Sequence, residues 1–109
     1  MYTYKAICVK VYDGDTITVD IDLGFGVWAK KQKVRLFGID TPEVRGENKT
    51  YGFYVRDFLK AKILDKEIVI RTEKDKKGKY GRWLGTVYLE DENINELLVQ
   101  KGYAQLLLY

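Results

Sequence analysis

One run constrains this chain more than any other: Val34-Arg35-Leu36-Phe37-Gly38-Ile39-Asp40-Thr41-Pro42-Glu43. Val34, Leu36, Phe37 and Ile39 read as a strand covered on both faces, because a half-solvated strand alternates with polar residues. Arg35 interrupts that run. A guanidinium in a core-like strand is costly unless an anion meets it, either a fixed carboxylate or the phosphate of a ligand. The strand ends at the chain's only proline, Pro42, which confines Thr41 to extended geometry. That stiff corner sets Asp40, the Thr41 carbonyl and Glu43 relative to one another. Hard oxygen atoms beside a buried arginine suit a site for a metal and a phosphate. A structural salt bridge fits this stretch equally well.

At 109 residues the chain is a single domain, 1–109, near the small end of what one core stabilises. Its 46% hydrophobic content and nine tyrosines mark it as globular, and a net charge of +3 says little about partners. The lone cysteine, Cys8, excludes an internal disulfide and a cysteine-rich zinc site. The absence of histidine excludes Ser-His and Cys-His nucleophilic catalysis, a histidine general base and His-ligated zinc. An enzyme with this composition must work through carboxylates, lysine, tyrosine, arginine or a metal ion. The N-terminus lacks the pattern of a signal peptide, and no apolar run reaches the length of a membrane span. No membrane partner is expected, and an intracellular, phage-encoded or processed secreted origin all stay open.

Along the chain, residues 3–12 and 15–22 read as strands joined by the Asp13-Gly14 hairpin signal. Ile7, Val9 and Val11 fall on one face of the first, and Ile17, Val19 and Ile21 on one face of the second. Asp15 shares the second set's parity, so its carboxylate points inward at the rim, as a ligand or a paired ion does. Asp13 reads more simply as a turn residue, bonded locally. Residues 22–28 form a hairpin tip whose Phe25 and Trp28 fit a small apolar cluster under the loop better than a base-stacking role.

A helix is expected from about Thr50, its N-cap, to Leu64, with an apolar stripe of Tyr51, Tyr54, Val55, Phe58 and Leu59. Residues 67–72 form a strand. Residues 71–82 then hold six cations against two carboxylates, usually a solvated loop, but here ending in Lys79-Tyr80-Gly81-Arg82. An aromatic and two cations beside a flexible glycine suit a phosphodiester with its base. Residues 82–89 form another strand and 91–93 a turn. A short helix, 94–101, carries Ile94, Leu97 and Leu98 inward and ends at Gly102. The fold class is α+β, mainly β: five strands and an inserted helix suggest a small closed barrel of the OB type.

Four segments stand together: Asp13-Gly14-Asp15-Thr16, residues 35–43, Lys79-Tyr80-Gly81-Arg82, and Asn95-Glu96-Leu97-Leu98-Val99 before Gly102. In this order and spacing the chain resembles the staphylococcal (thermonuclease-type) nuclease family from about Tyr4 to Leu108. The resemblance implies an OB barrel with two packed helices and calcium-dependent hydrolysis of DNA and RNA, single-stranded or locally melted, with little sequence preference and 3′-phosphate products. It implies that Asp15 and Asp40 bind Ca²⁺ through carboxylates and Thr41 through its carbonyl. It implies that Glu43 holds a metal-bound water or acts as general base, and that Arg35 and Arg82 bind the scissile phosphate. Lys79 and Tyr80 would contact a neighbouring phosphate. Tyr109 falls one position late for the family's active-site tyrosine, which aligns with Leu108.

Other departures carry expectations too. The span between Asp15 and Arg35 is longer than in the familiar secreted enzyme, so the first hairpin should project further. The loop after Glu43 is shorter. The chain stops where the family continues into a further helix, leaving Leu106, Leu107 and Leu108 without cover and predicting marginal stability or self-association through the tail. Two other readings compete with a metal-dependent nuclease. A non-catalytic OB module binding nucleic acid or protein typically lacks the carboxylates or arginines that this chain keeps. A structural calcium-binding domain gives Arg35 and Arg82 no purpose.

Overall fold

The first hairpin sets the curvature of the molecule. The computed structural model describes residues 2–47, 49–77 and 81–107, with the backbone alone over 74–77. In it, β1 (Thr3–Asp13) pairs antiparallel with β2 (Thr16–Asp22) across a turn at Gly14-Asp15. Ile17 and Val19 of β2 are buried, as their alternation predicts. The β1 face is different. Ala6 and Cys8 point inward, Ile7 is half-buried and Val9 is exposed; of the expected set only Val11 is in the core. The register with β2 shifts between Cys8 and Lys10 and again between Val11 and Asp13. Each bulge inserts a residue and reverses parity, so apolar alternation in the sequence does not map onto one face.

The sheet continues through β3 (Trp28–Leu36), paired with β2, and through β5 (Glu67–Lys77) and β6 (Trp83–Leu89) on the other side of β1. A parallel pairing of β3 with β6, Val34 opposite Trp83 and Leu36 opposite Gly85, closes a five-stranded barrel of the OB type. Closure demands a small residue at Gly85, where a Cβ would lie 2.8 Å from Ile70 Cγ2 and 3.4 Å from Val34 Cγ1. Three short strands decorate the barrel: β4 (Ile39–Asp40) pairs with β8 (Gln105–Leu106), and β7 (Glu92–Asn93) with β6.

Helix α1 (Lys49–Ile63) plugs the barrel with Gly52, Val55, Leu59 and Ile63, a helical spacing. The expected stripe holds for Val55 and Leu59, whereas Tyr51 and Tyr54 are exposed. Their phenols stay at the wet edge, where hydroxyls find partners: the Tyr51 hydroxyl donates to the Gly102 carbonyl at 3.2 Å, and the Tyr54 and Tyr103 hydroxyls bond at 3.2 Å. Thr50 lies within the first turn rather than at the cap. Helix α2 (Ile94–Gln100) is capped by Asn93, whose side chain accepts from the Glu96 N–H, and Gly102 follows it in the left-handed region.

The tip of the β2–β3 hairpin departs from expectation. Leu23, Phe25, Val27 and Trp28 are all exposed rather than clustered, because the hairpin projects beyond the elements that could cover them. Leu106 in β8 is 71% exposed, whereas Leu107, expected to be equally uncovered, is half-buried; Leu108 lies outside the described residues. Among the described residues no helix is long and apolar enough to cross a membrane.

Candidate active site

The Asp13-Gly14-Asp15 turn is pressed into the rim of the barrel. A Cβ on Gly14 would lie 2.6 Å from Val55 Cγ1 and 2.8 Å from Thr41 Oγ1, so only glycine lets the turn sit under both α1 and the Pro42 corner. Asp15 is buried there with three partners. Its Oδ1 accepts from the Thr16 hydroxyl at 3.1 Å, and its Oδ2 accepts from the Thr41 N–H at 3.0 Å and pairs with Arg35 Nη1 at 3.0 Å. Asp15 thus ties the first hairpin to the corner that follows β4.

Arg35 is not in the core. The strand expected to be covered on both faces alternates: Val34 and Leu36 are buried, and Arg35 between them faces the rim, opposite Thr16 across the ladder. The apolar run looked continuous because Phe37-Gly38 is a turn, with Gly38 at φ +80°, which resets parity and returns Ile39 to the interior. Arg35 Nη1 also donates to the Ile39 carbonyl at 3.2 Å, and Nη2 pairs with Asp40 Oδ1 at 3.2 Å. The anion that the sequence demanded for Arg35 is therefore two fixed carboxylates. They stand in the same place as the expected ligand site, so the salt-bridge and site readings describe one cluster.

The remaining residues are fixed from neighbouring elements. Buried Asn95 of α2 donates to the Phe37 and Gly85 carbonyls at 2.9 and 3.3 Å and accepts from the Val87 N–H at 3.1 Å, which clamps the turn before β4 onto β6. Arg82 precedes β6 and its Nη1 donates to Thr16 Oγ1 at 3.4 Å. Glu43 is exposed; its carbonyl rests on α1 at Gly52, where a Cβ would overlap it. Thr16, though part of the Asp13-Gly14-Asp15-Thr16 segment, has no role assigned from sequence, and Gly52 is not singled out at all. Thr16 follows Asp15 as an ordinary strand threonine, and Gly52 looks only like a weak helix residue, so neither role is visible without the tertiary contacts.

A cavity of about 670 Å³ opens over this rim and gathers Asp15, Arg35, Asp40, Thr41, Glu43 and Arg82. Lys79, Tyr80 and Tyr109 lie outside the described residues. Asp13 lines the cavity as well as serving the turn, where its Oδ1 accepts from the Asp15 N–H at 3.1 Å. Burial, and then the Asp15 carboxyl beside it, push the Asp13 pKa up to about 7, against the opposing pull of the Asp15 N–H and Arg35. Two carboxyls crowded with too little positive charge favour a proton on one of them, and a bound cation would relieve the same crowding.

The donor set suits a hard cation, being entirely oxygen. Thr41 Oγ1 is buried at the cavity without a hydrogen-bond partner among the described residues. No three acidic side chains among the described residues converge into a ready-made cage. Arg35 stands between Asp15 and Asp40, so a cation and the guanidinium would compete for the same oxygens.

The comparisons with known proteins agree with this geometry. The model of the staphylococcal nuclease homologue family matches residues 33–109. A thermonuclease from Staphylococcus hyicus is 38% identical over 98% of this chain and 60% of its own length. A thermonuclease from Staphylococcus intermedius is 35% identical over 92% and 58%, and an endonuclease from Bacillus subtilis is 34% identical over 88% and 44%. The chain spans about three fifths of the length of the two thermonucleases. With the barrel closed and the acidic and basic groups of the matched segment on one rim, the chain belongs to the staphylococcal nuclease homologue family.

Proposed function

We propose that this chain is a calcium-dependent nuclease that hydrolyses phosphodiester bonds of single-stranded or locally melted DNA and RNA with little sequence preference, leaving 3′-phosphates. One observation carries the reading: Arg35 and Arg82 share a single cavity with Asp15, Asp40 and Glu43, linked through Thr16. The names of the relatives support it.

In this reading Asp15, Asp40 and the Thr41 carbonyl hold Ca²⁺, which supplies Lewis-acid polarisation of a phosphoryl oxygen. Arg35 exchanges carboxylate partners for the substrate phosphate, and with Arg82 neutralises charge gathering on its equatorial oxygens. Glu43 accepts a proton from the attacking water as the new P–O bond forms. The P–O5′ bond then breaks, and the 5′ oxygen leaves with a proton from solvent. Lys79, Tyr80 and Tyr109 are assigned to the neighbouring phosphate. The exposed Leu106 edge is assigned to self-association.

Incubation with denatured DNA in Ca²⁺ and then in chelator tests the activity. Cleavage to 3′-phosphate ends is expected only with Ca²⁺; binding without cleavage selects the non-catalytic module instead. Glu43→Gln is expected to lower kcat by roughly 10² to 10⁴-fold with oligonucleotide affinity kept. An unchanged kcat removes the general-base role.

A further inference from the structure

The cavity does not stop at the residues assigned to chemistry. Lys10, Tyr12, Thr18 and Lys33 line it too, and they stand together for a structural reason. Lys10 pairs with Thr18 across β1 and β2, and Thr18 pairs with Lys33 across β2 and β3. Residues opposite one another in antiparallel strands share a face, with strands about 4.8 Å apart. The three therefore form one transverse row on the outside of the barrel, an ammonium on either side of a hydroxyl. The bulge at Val9 brings Lys10 into this row, and the second bulge makes Tyr12 the additional residue, 46% exposed beside it.

The row lies one register step from the catalytic one. Arg35 is opposite Thr16, and two residues along a strand is about 7 Å, the order of separation between neighbouring phosphates on an extended strand. Neither the Lys10 nor the Lys33 ammonium forms an ion pair among the described residues. The nearest carboxylate along β2, Asp20, is already engaged by Lys30 Nζ at 3.4 Å and the Lys31 N–H at 2.9 Å. Asp13 belongs to the neighbouring Thr16–Arg35 row, and Asp15 and Asp40 are both paired with Arg35.

Resting on the nuclease reading, we propose that Lys10, Thr18 and Lys33 form a second phosphate subsite, with Tyr12 as a stacking platform. Together they lead a single-stranded substrate out of the catalytic cavity across the outer face of β1, β2 and β3. The subsite reads backbone charge and a base face, so it adds affinity without sequence preference.

The test compares cleavage of a thymidine dinucleotide and a thymidine octanucleotide in Ca²⁺ across a salt series. It uses wild type, Lys10→Gln/Lys33→Gln, and a charge-matched control, Lys60→Gln/Lys101→Gln. For the octanucleotide, the Lys10/Lys33 variant is expected to lose roughly tenfold in kcat/KM through KM. Its log–log salt dependence should flatten by about 0.7, the share of one single-strand phosphate. For the dinucleotide it should match the control. Tyr12→Ala should weaken the octanucleotide at least fivefold without flattening the slope. If wild type cleaves both substrates and the Lys10/Lys33 variant behaves like the control on both, the subsite is overturned and the nuclease reading stands. Equal losses on both lengths also overturn it, placing the lysines at the scissile phosphate. A wild type that cleaves neither substrate overturns both.

Discussion

Asp13 shows how one side chain serves a turn and a site at once. Its folded-state pKa, about 7 against an ordinary 3.8, means that between these values the folded chain keeps a proton that the unfolded chain has released. Stability must therefore fall as pH rises through that window. Asn at this position still accepts from the Asp15 N–H but carries no charge. In thermal melts in chelator, Asp13→Asn should melt several degrees above wild type at pH 8, the gap closing toward pH 4; a pH-independent gap would contradict the assignment. Asp15 and Arg35 were legible in the sequence by position rather than by type, one at an inward parity and the other inside an apolar run, in a chain where 32% of the residues are charged. The positioning residues were not, since Thr16, Gly52 and the clamping role of Asn95 depend on what lies opposite them.

Among the elements, β2, β6 and both helices follow from their apolar periods, whereas β3 starts at Trp28 and β5 runs on to Lys77 through polar residues that carry no such period. The bulges in β1 do not follow from a period either, because Val9 and Tyr12 are as good strand residues as their neighbours, and only the paired strand reveals that they are additional. The two tyrosines of α1 misled for a related reason: a phenol counts as apolar in a pattern yet bonds outward through its hydroxyl. What α1 buries in their place is Gly52, the seat of the Glu43 carbonyl. Gly52→Ala should lift the corner carrying Glu43 away from Asp15 and Arg35. A displacement near 1 Å at a catalytic group costs on the order of 10²-fold, so kcat should fall about that far while the helix persists by circular dichroism. A kcat within twofold of wild type would show that Glu43 is placed by other contacts.

At the scale of the whole molecule, closure of β3 on β6 brings the first hairpin, the Pro42 corner and Arg82 onto one rim, so the site exists only once the barrel is complete. The tail adds a two-residue strand to β4 and leaves Leu106 in water. If copies associate through it, Leu106→Lys should shift sedimentation toward monomer at high protein concentration; identical profiles would remove the tail from any interface. Cys8 records the same closure differently. Its thiol is fully buried in the barrel wall and pushed up to about 11 by that burial. Its backbone is bonded to Lys66 and Asp65 at the junction of α1 and β5. A colorimetric disulfide reagent should stay colourless with native protein and react at the rate at which β1 parts from that junction, quickening with urea; rapid native labelling would refute this. The lone sulfur is thus a built-in clock for how often the wall breathes, readable without touching the rim that carries the cavity.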